Sequence, residues 1–421
     1  MSIQLSKETT DLFIQYISDF GDVVFLDSQL NHGFSYLAWQ PEMVYQSNVN
    51  GDDFSLKFDL FTKSDNSWKF GFVSYDVKNY LEKKLKSKNS ISANLPDLWF
   101  MIPKMLLKID AKSNEAELIL GEQETFLSEL EKAKKKSFDK SYSISNWQSY
   151  SNKESYLQRI EEIKDAITEG SYYELNLSRL ITADFTGSVN GLFSAFRELS
   201  PVPMAAFIKT NEWVICSASP EVFICKNGNE IISKPIKGTR KRFQDEDEDK
   251  KAKNELSESI KEKAENLMIV DLVRNDFNRI CKPGSVSVKT LFDIKSYSTV
   301  HQMESTVIGL LKSDVNYATI FKAAFPMGSM TGAPKIASML AIDSLENYKR
   351  NVYSGSIGYI DEHQNAEFNV VIRTAIIKDA KLYYSVGGAI TADSIPEEEW
   401  TETETKAEIL RLTMIKSQYP N

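Results

Sequence analysis

Cysteine and histidine are scarce in this 421-residue chain, with three of each. Cys216, Cys225 and Cys281 are odd in number, lie in apolar runs and show no Cys-x-x-Cys spacing. They read as reduced core thiols, which excludes a disulfide framework and a thiolate metal centre. The three histidines offer no metal-ligand pair. Positive charge is short as well: 50 Lys and Arg stand against 59 Asp and Glu, a net charge of −9. That argues against nucleic-acid or other general polyanion binding, which needs a basic face. A small anionic substrate would then need local positive charge or a metal. No apolar run approaches ~18 residues, and the N-terminus, MSIQLSKETTDLF, has no basic stretch ahead of an apolar one. Neither a membrane span nor a leader is expected, and the expected location is the cytoplasm.

What is present reads as a large globular protein, 42% hydrophobic, able to bury a sizeable core. Residues 1–20 are expected to form one amphipathic helix, with short strands following to about residue 110. The serine-rich stretch 137–150 has no periodicity, so the joint between two regions, 1–145 and 146–421, is placed there. Ser151 through Glu154 fits a capping box opening a helix that stops at Gly170. The block 244–253, dense in Asp, Glu and Lys, reads as a solvated loop or, less simply, a cation site. A helix over 254–276 is apolar on nearly all sides from Leu267 to Val273. It is expected to be buried and to drive Glu262 and Glu265 toward the interior or a cleft. A last helix runs from near Pro396 to near Lys416. Strands and helices mix without regular alternation, which indicates α+β.

Several constellations could carry chemistry. In Ser233–Arg242, SKPIKGTRKR, Lys237 stands before a Gly-Thr step. Gly238 allows close backbone approach and Thr239 can donate or accept, so Lys237 reads either as an amine nucleophile beside an anion site or as part of a basic turn. Glu262 with Glu265, and Glu399 with Glu402 and Lys406, each share one side of a helix. Such pairs suit Mg²⁺, which takes hard oxygen ligands; they also occur on plain exposed helices. Gly328–Lys335, GSMTGAPK, lacks the Walker A spacing and reads as a Gly-rich turn into a helix. His301 reads as a hydrogen-bonded core residue or a base. Arg373, amid the apolar Val370–Thr374 pattern, is expected on a strand face with Val371, paired with an internal carboxylate or a ligand.

Taken together these motifs resemble the chorismate-utilising enzymes, among them the aminodeoxychorismate synthase large subunits, with anthranilate synthase component I as near relatives. The resemblance runs through Ser219-Pro220-Glu221, Pro235–Arg240, Lys261–Asp276, Gly328–Lys335, Tyr353-Ser354-Gly355, Ile372-Arg373-Thr374 and Asp393-Ser394 with Glu399, Glu402 and Lys406. It is looser at Phe25–Ser28 and Gly71–Asp76. It implies two large packed antiparallel β-sheets with helices outside, the two halves interlocked. It implies Mg²⁺ at Glu265 and Glu402, with Glu262 and Glu399 beside them. Thr239 with Gly238, Tyr353, Arg373, Gly387 and Lys406 would contact substrate carboxylates, while Glu221 and His301 would handle protons near the leaving hydroxyl. Ser28 falls in a motif that binds tryptophan in relatives. A glutaminase partner supplying ammonia is also implied, and no Cys-His glutaminase pattern appears in this chain.

Within the family, lysine in Pro-Ile-x-Gly-Thr marks aminodeoxychorismate synthases, where anthranilate synthases carry alanine. The resemblance therefore implies amination of chorismate to 4-amino-4-deoxychorismate, on the route to p-aminobenzoate and folate, through a covalent Lys237 adduct. Such a nucleophile is expected to have its pKa lowered toward ~7–8. The alternatives are anthranilate formation with pyruvate release, and a silent scaffold that activates a glutaminase. The chain departs from the family pattern at Glu174 (often Gln), Phe243 and Asn351 (often Gly) and Ala389. Glu174 stands where isochorismate and salicylate synthases carry a lysine base, which argues against hydroxylation chemistry.

Overall fold

Two long neighbouring strands, Phe34–Ser47 and Leu98–Asp110, pair antiparallel along their whole length and carry both halves of the molecule. The structure is a computed structural model that describes residues 2–30, 33–48, 54–63, 65–87, 89–297 and 300–418. In chain order the first elements are β1 (Ser2–Gln4), α1 (Lys7–Ser18), β2 (Val23–Asp27), β3 (Phe34–Ser47), α2 (Phe54–Lys63), β4 (Lys69–Val73), α3 (Lys78–Leu81), β5 (Leu98–Asp110), β6 (Glu115–Leu120) and α4 (Gln123–Lys134). Then come β7 (Tyr142–Ser149), α5 (Lys153–Thr168), β8 (Glu174–Gly187), α6 (Val189–Leu199), β9 (Met204–Lys209), β10 (Trp213–Ser219), β11 (Val222–Asn227), β12 (Glu230–Lys234), β13 (Ile236–Lys241), α7 (Glu246–Glu258) and α8 (Ile260–Ile280). The rest are β14 (Ser287–Ser296), β15 (Val300–Leu310), α9 (Tyr317–Ala324), β16 (Gly332–Ala333), α10 (Lys335–Leu345), β17 (Ser356–Ile360), β18 (Ala366–Asn369), β19 (Thr374–Lys378), β20 (Lys381–Ile390) and α11 (Pro396–Gln418).

All strand pairings are antiparallel, and they run in two arms from β5. One arm passes through β3, β2, β9, β10, β19, β20 and β8. The other passes through β4, β17, β18, β11, β12 and β15. Side chains alternate across a pleated strand, and β5 shows what each face meets. Its Trp99, Met101 and Leu106 join a core layer built from Phe70, Phe72, Ile208, Trp213, Ile215 and Ile357, all on strands. Leu98, Phe100 and Ile102 instead pack with Phe58 and Phe321 of α2 and α9, and Leu107 and Ile109 lie in the cluster of α1, α4 and α6. Trp213 closes edge-on against Trp99 at 5.4 Å and Phe72 at 5.6 Å, so the arms face each other as packed sheets with helices outside. Strands from early and late in the chain alternate in both arms: β2 pairs β9, and β4 pairs β17. Among the described residues, no helix is long and apolar enough to cross a membrane.

Several local expectations change. Residues 2–4 form β1 on β6, and the first helix begins only after Ser6, whose side chain caps Thr9 N–H. The stretch 142–149 is a strand, with Tyr142 and Ile144 buried and Ser143 and Ser145 exposed; four alternating residues were too short a signal. Asn152, not Ser151, caps α5, accepting from Ser155 N–H. The acidic block is α7: Asp245 accepts from the amides of Asp247 and Glu248, and four acidic residues sit at the positive end of the helix dipole. Ser259 separates it from α8 and caps that helix through Glu262 N–H. Helix α8 buries one stripe only, Asn266, Ile269, Val270, Val273, Asp276, Phe277 and Ile280, while Leu267 is 44% exposed. Helices α2, α3 and α6 had no expectation.

Candidate active site

Lys237 owes its direction to a bulge. Between the pairs Ile236↔Glu304 and Thr239↔Gln302 the register shifts, so Lys237 and Gly238 oppose the single residue Met303. A bulge of this kind re-aims a side chain off the ladder. Gly238 has φ +83°, a backbone that strains any other residue, and a Cβ there would press at 2.8 Å on Glu262 Oε2 and a Leu256 methyl, so glycine is favoured. The Lys237 Nζ then lies 2.9 Å from Glu174 Oε1 and 3.9 Å from Glu265 Oε2. Glu174 is wholly buried, and among the described residues its Oε2 has no hydrogen-bond partner. Burial pulls the Lys237 pKa down, but Glu174 and Glu265 outweigh it and hold the group as an ammonium. The expected fall in its pKa is therefore reversed in this structure, because the neighbours are carboxylates rather than cations or apolar surface.

The two glutamate pairs form one electrostatic cluster around that ammonium. Glu262 and Glu265 project from the first turns of α8, where Arg240 Nη1 lies 3.2 Å from Glu262 Oε1. Burial, with Glu174 and Glu262 nearby, pushes Glu265 up to about 7 despite Lys237. On α11, Glu399 accepts from Ser394 Oγ at 2.7 Å through Oε1, while among the described residues its buried Oε2 has no hydrogen-bond partner; burial raises its pKa. Burial acts the same way on Glu402, but Lys406 and Lys237 outweigh it and lower its pKa. Lys406 also donates to the Gly387 carbonyl at 2.8 Å. A Cβ on Gly388 would meet Glu399 Oε2 at 3.3 Å and Glu402 Oε1 at 3.4 Å, so glycine keeps the strand clear for both. Lys261 acts on Glu265, Glu399 and Glu402 alike, which ties the α8 and α11 pairs together. Among the described residues, no three metal-ligating side chains are gathered closely enough to hold an ion alone. The donor set nonetheless suits Mg²⁺, which needs only one or two carboxylates plus substrate and water oxygens. The unpartnered Glu399 oxygen and the raised Glu265 carboxyl are what a hard cation would satisfy.

Glu221 sits in the turn between β10 and β11, 4% exposed. It accepts from Ser329 Oγ at 3.0 Å and Ile236 N–H at 3.5 Å. Burial pushes it up to about 7, against these bonds and Lys237. Arg373 is not on a strand: residues 370–373 separate β18 from β19, and Arg373 has φ +50°. Its Nη1 donates to Ser200 Oγ at 3.3 Å, and burial lowers its pKa against Tyr384 and Glu221. Tyr353 is buried, its ring 5.8 Å from the Arg350 guanidinium, and Thr239 is exposed beside Arg240. His301 has both ring nitrogens engaged, by Ser296 Oγ at 2.9 Å and Asp249 Oδ1 at 3.1 Å. Among the described residues no hydrogen bond joins it to Glu221 or Lys237, and its contacts are those of a core residue that pins α7. Ser28 lines a separate cavity of about 880 Å³ with Tyr36, Met204, Lys234 and Glu304. Asn351 has φ +53°, a conformation glycine or asparagine adopts readily. Phe243 is 44% exposed, its N–H donating to Asp249. Ala389 pairs Asn176 in β20. The roles of Ser329, Lys261 and the buried Arg350–Glu346 pair had no local signal, since each depends on residues distant in the chain.

Comparison with known proteins places this architecture. Residues 23–411 match the family model described as chorismate binding enzyme. The chain is 35% identical over 335 residues to aminodeoxychorismate synthase component 1 of Klebsiella aerogenes, covering 79% of this chain and 74% of that protein. It is 38% identical over 360 residues to the chloroplastic aminodeoxychorismate synthase of Arabidopsis thaliana, covering 79% of this chain but only 38% of the plant protein. The crystal structure of anthranilate synthase component I from Streptococcus pneumoniae superposes with a TM-score of 0.78 at 26% identity, covering 90% of this chain and 92% of that one. This chain belongs to the chorismate binding enzyme family. Within it, the relatives include both aminodeoxychorismate and anthranilate synthases.

Proposed function

We propose that this protein aminates chorismate at C4 to give 4-amino-4-deoxychorismate, with Lys237 as covalent nucleophile and ammonia delivered by a glutaminase partner. The observation that carries the reading is Lys237 itself: the bulge aims its amine into the carboxylate cluster, at the position where the motif distinguishes this chemistry from anthranilate synthesis. Glu174, 2.9 Å away, is the nearest carboxylate to the Lys237 ammonium and takes its proton, a step uphill against the same ion pair that holds the ammonium. The free amine bonds to C2, the ring double bonds shift, and the C4–oxygen bond breaks. Glu221, buried and neutral up to about pH 7, gives its proton to the departing hydroxyl, which leaves as water. Ammonia then bonds to C4, the double bonds shift back, and the C2–nitrogen bond breaks to return the lysine amine. Glu221 recovers a proton from the new C4 ammonium, and Glu174 returns its own to Lys237. The sum is chorismate plus ammonia to the aminated product plus water.

Mg²⁺ held by Glu265 and Glu402, with Glu262 and Glu399 beside them, would neutralise and orient the ring carboxylate of chorismate. Lys406, Arg373 and Tyr353 supply polar groups for the remaining carboxylate. The proton steps need only Glu174 and Glu221, so His301 keeps a structural part here. Ser28 and its cavity stand where a motif that binds tryptophan in relatives falls. The anthranilate reading is kept alive by relatives of that name, and Lys237 is the residue against it. Incubation with chorismate, Mg²⁺ and an ammonium salt, followed by mass analysis, separates them. An aminated product retaining its enolpyruvyl group is expected, and enzyme incubated with chorismate without ammonium and then denatured should carry an adduct of chorismate less one water. Anthranilate plus pyruvate as the sole products would overturn the proposal.

A further inference from the structure

The Gly328–Lys335 segment, which reads from sequence as a bare turn, has a specific contact with the site. Ser329, 6% exposed, donates its hydroxyl proton to Glu221 at 3.0 Å. Among the described residues, the two hydrogen bonds that the Glu221 carboxyl receives, from Ser329 Oγ and from Ile236 N–H, both fall on Oε1. The carbonyl oxygen of a carboxylic acid is its better acceptor, so the Ser329 donor at 3.0 Å, with the longer Ile236 contact beside it, favours the carbonyl at Oε1 and the hydroxyl at Oε2. The serine is itself held from behind. Its carbonyl accepts from Asn176 Nδ2 at 3.4 Å, and the next carbonyl, of Met330, accepts from Arg350 Nη1 at 2.6 Å. Arg350 also donates to the Asn176 carbonyl at 2.7 Å and makes a two-point pair with Glu346 at 2.9 and 2.6 Å, both side chains 1% exposed. Glu346 in turn accepts from Ser178 on β8. A buried ion pair with its hydrogen bonds satisfied gives Ser329 a fixed anchor.

We infer that Ser329 is a positioning residue for Glu221: its hydroxyl ties down Oε1 so that the transferable proton is carried on Oε2. This rests on the reading of Glu221 as the proton donor. The charged groups facing Glu221 are Lys237 on β13, Glu304 on β15 and Arg373 ahead of β19, and none of them is altered by changing Ser329.

The test compares Ser329→Ala with Ser329→Thr. A hydrogen bond donated to a carboxylate stabilises its charged form, so its loss raises the pKa of Glu221. With alanine, the limb on which activity falls as pH rises should move up by about one pH unit, and kcat at low pH should fall about tenfold. The KM for chorismate should stay within about twofold, and threonine, which keeps the hydroxyl, should restore both. If alanine does not fold, Ser329→Cys, with its weaker donor, should shift the limb in the same direction. Carbon-13 NMR titration of glutamate-labelled, ligand-free protein, assigned with Glu221→Gln, reads the same shift without turnover. An unmoved titration in the alanine variant, or failure of threonine to restore it, would overturn the inference. Absence of aminated product from the wild-type protein would count against the proposed function alone.

Discussion

Replacing Glu221 by Gln should stabilise the protein at neutral pH while removing its activity. An ordinary glutamate titrates near 4.5, and burial moves Glu221 up to about 7. At about 1.4 kcal/mol per pH unit the difference comes to about 3 kcal/mol. The direction follows from proton counting. Below about pH 4.5 the acid is neutral both folded and unfolded, and the group contributes no pH dependence. Between 4.5 and 7 the unfolded chain releases the proton while the folded one retains it, so folding stability falls as pH rises. Above 7 both states are ionised, and the full penalty of about 3 kcal/mol stays. Glutamine has nearly the same volume, keeps an oxygen for Ser329 and Ile236, and never ionises. Urea unfolding of both proteins should therefore show the variant gaining about 3 kcal/mol on the wild type between pH 4.5 and 8. Other titrating groups, Glu265 included, are common to both proteins and cancel in the difference. Parallel stability curves would show that Glu221 titrates normally and is no proton reservoir.

Lys237→Ala should lose most 4-amino product and drift toward the 2-amino isomer or anthranilate with saturating ammonium. It should also unfold more readily by about 3 kcal/mol, since Glu174 is left buried without its cation, and Glu174→Gln in the same protein should recover much of that stability in thermal scans. Glu265→Gln and Glu402→Gln should weaken Mg²⁺ dependence and turnover together with folding intact; full activity at an unchanged Mg²⁺ requirement in both would remove the metal assignment. Gly238→Ala should cost at least 1–2 kcal/mol, from its left-handed backbone and the 2.8 Å approach to Glu262 and Leu256, and an unchanged melting temperature would contradict the bulge geometry.

The amino-acid sequence by itself determined the fold class and the family, and it named most of the polar residues that the structure brings together at the candidate site. Lys237, Glu221 and the spacing of Glu262 with Glu265 and Glu399 with Glu402 lie within short local runs, and helical spacing alone puts each pair on one side. It misjudged elements whose stability comes from partners elsewhere. Strand β7 is polar on one face and exists because β8 pairs with it, and α7 is held by its cap and by Ala252 and Leu256 against the core. Only the tertiary structure decided the ionisation of Lys237. Its carboxylate partner at 2.9 Å comes from position 174, 63 residues away, and the bulge that brings them together depends on the register of β13 against β15. The same holds for Ser329 and Glu221, 108 residues apart, and for the Arg350–Glu346 pair behind them. Proton affinities are set by burial and by charges within a few ångströms, and neither quantity exists until the two sheets have packed.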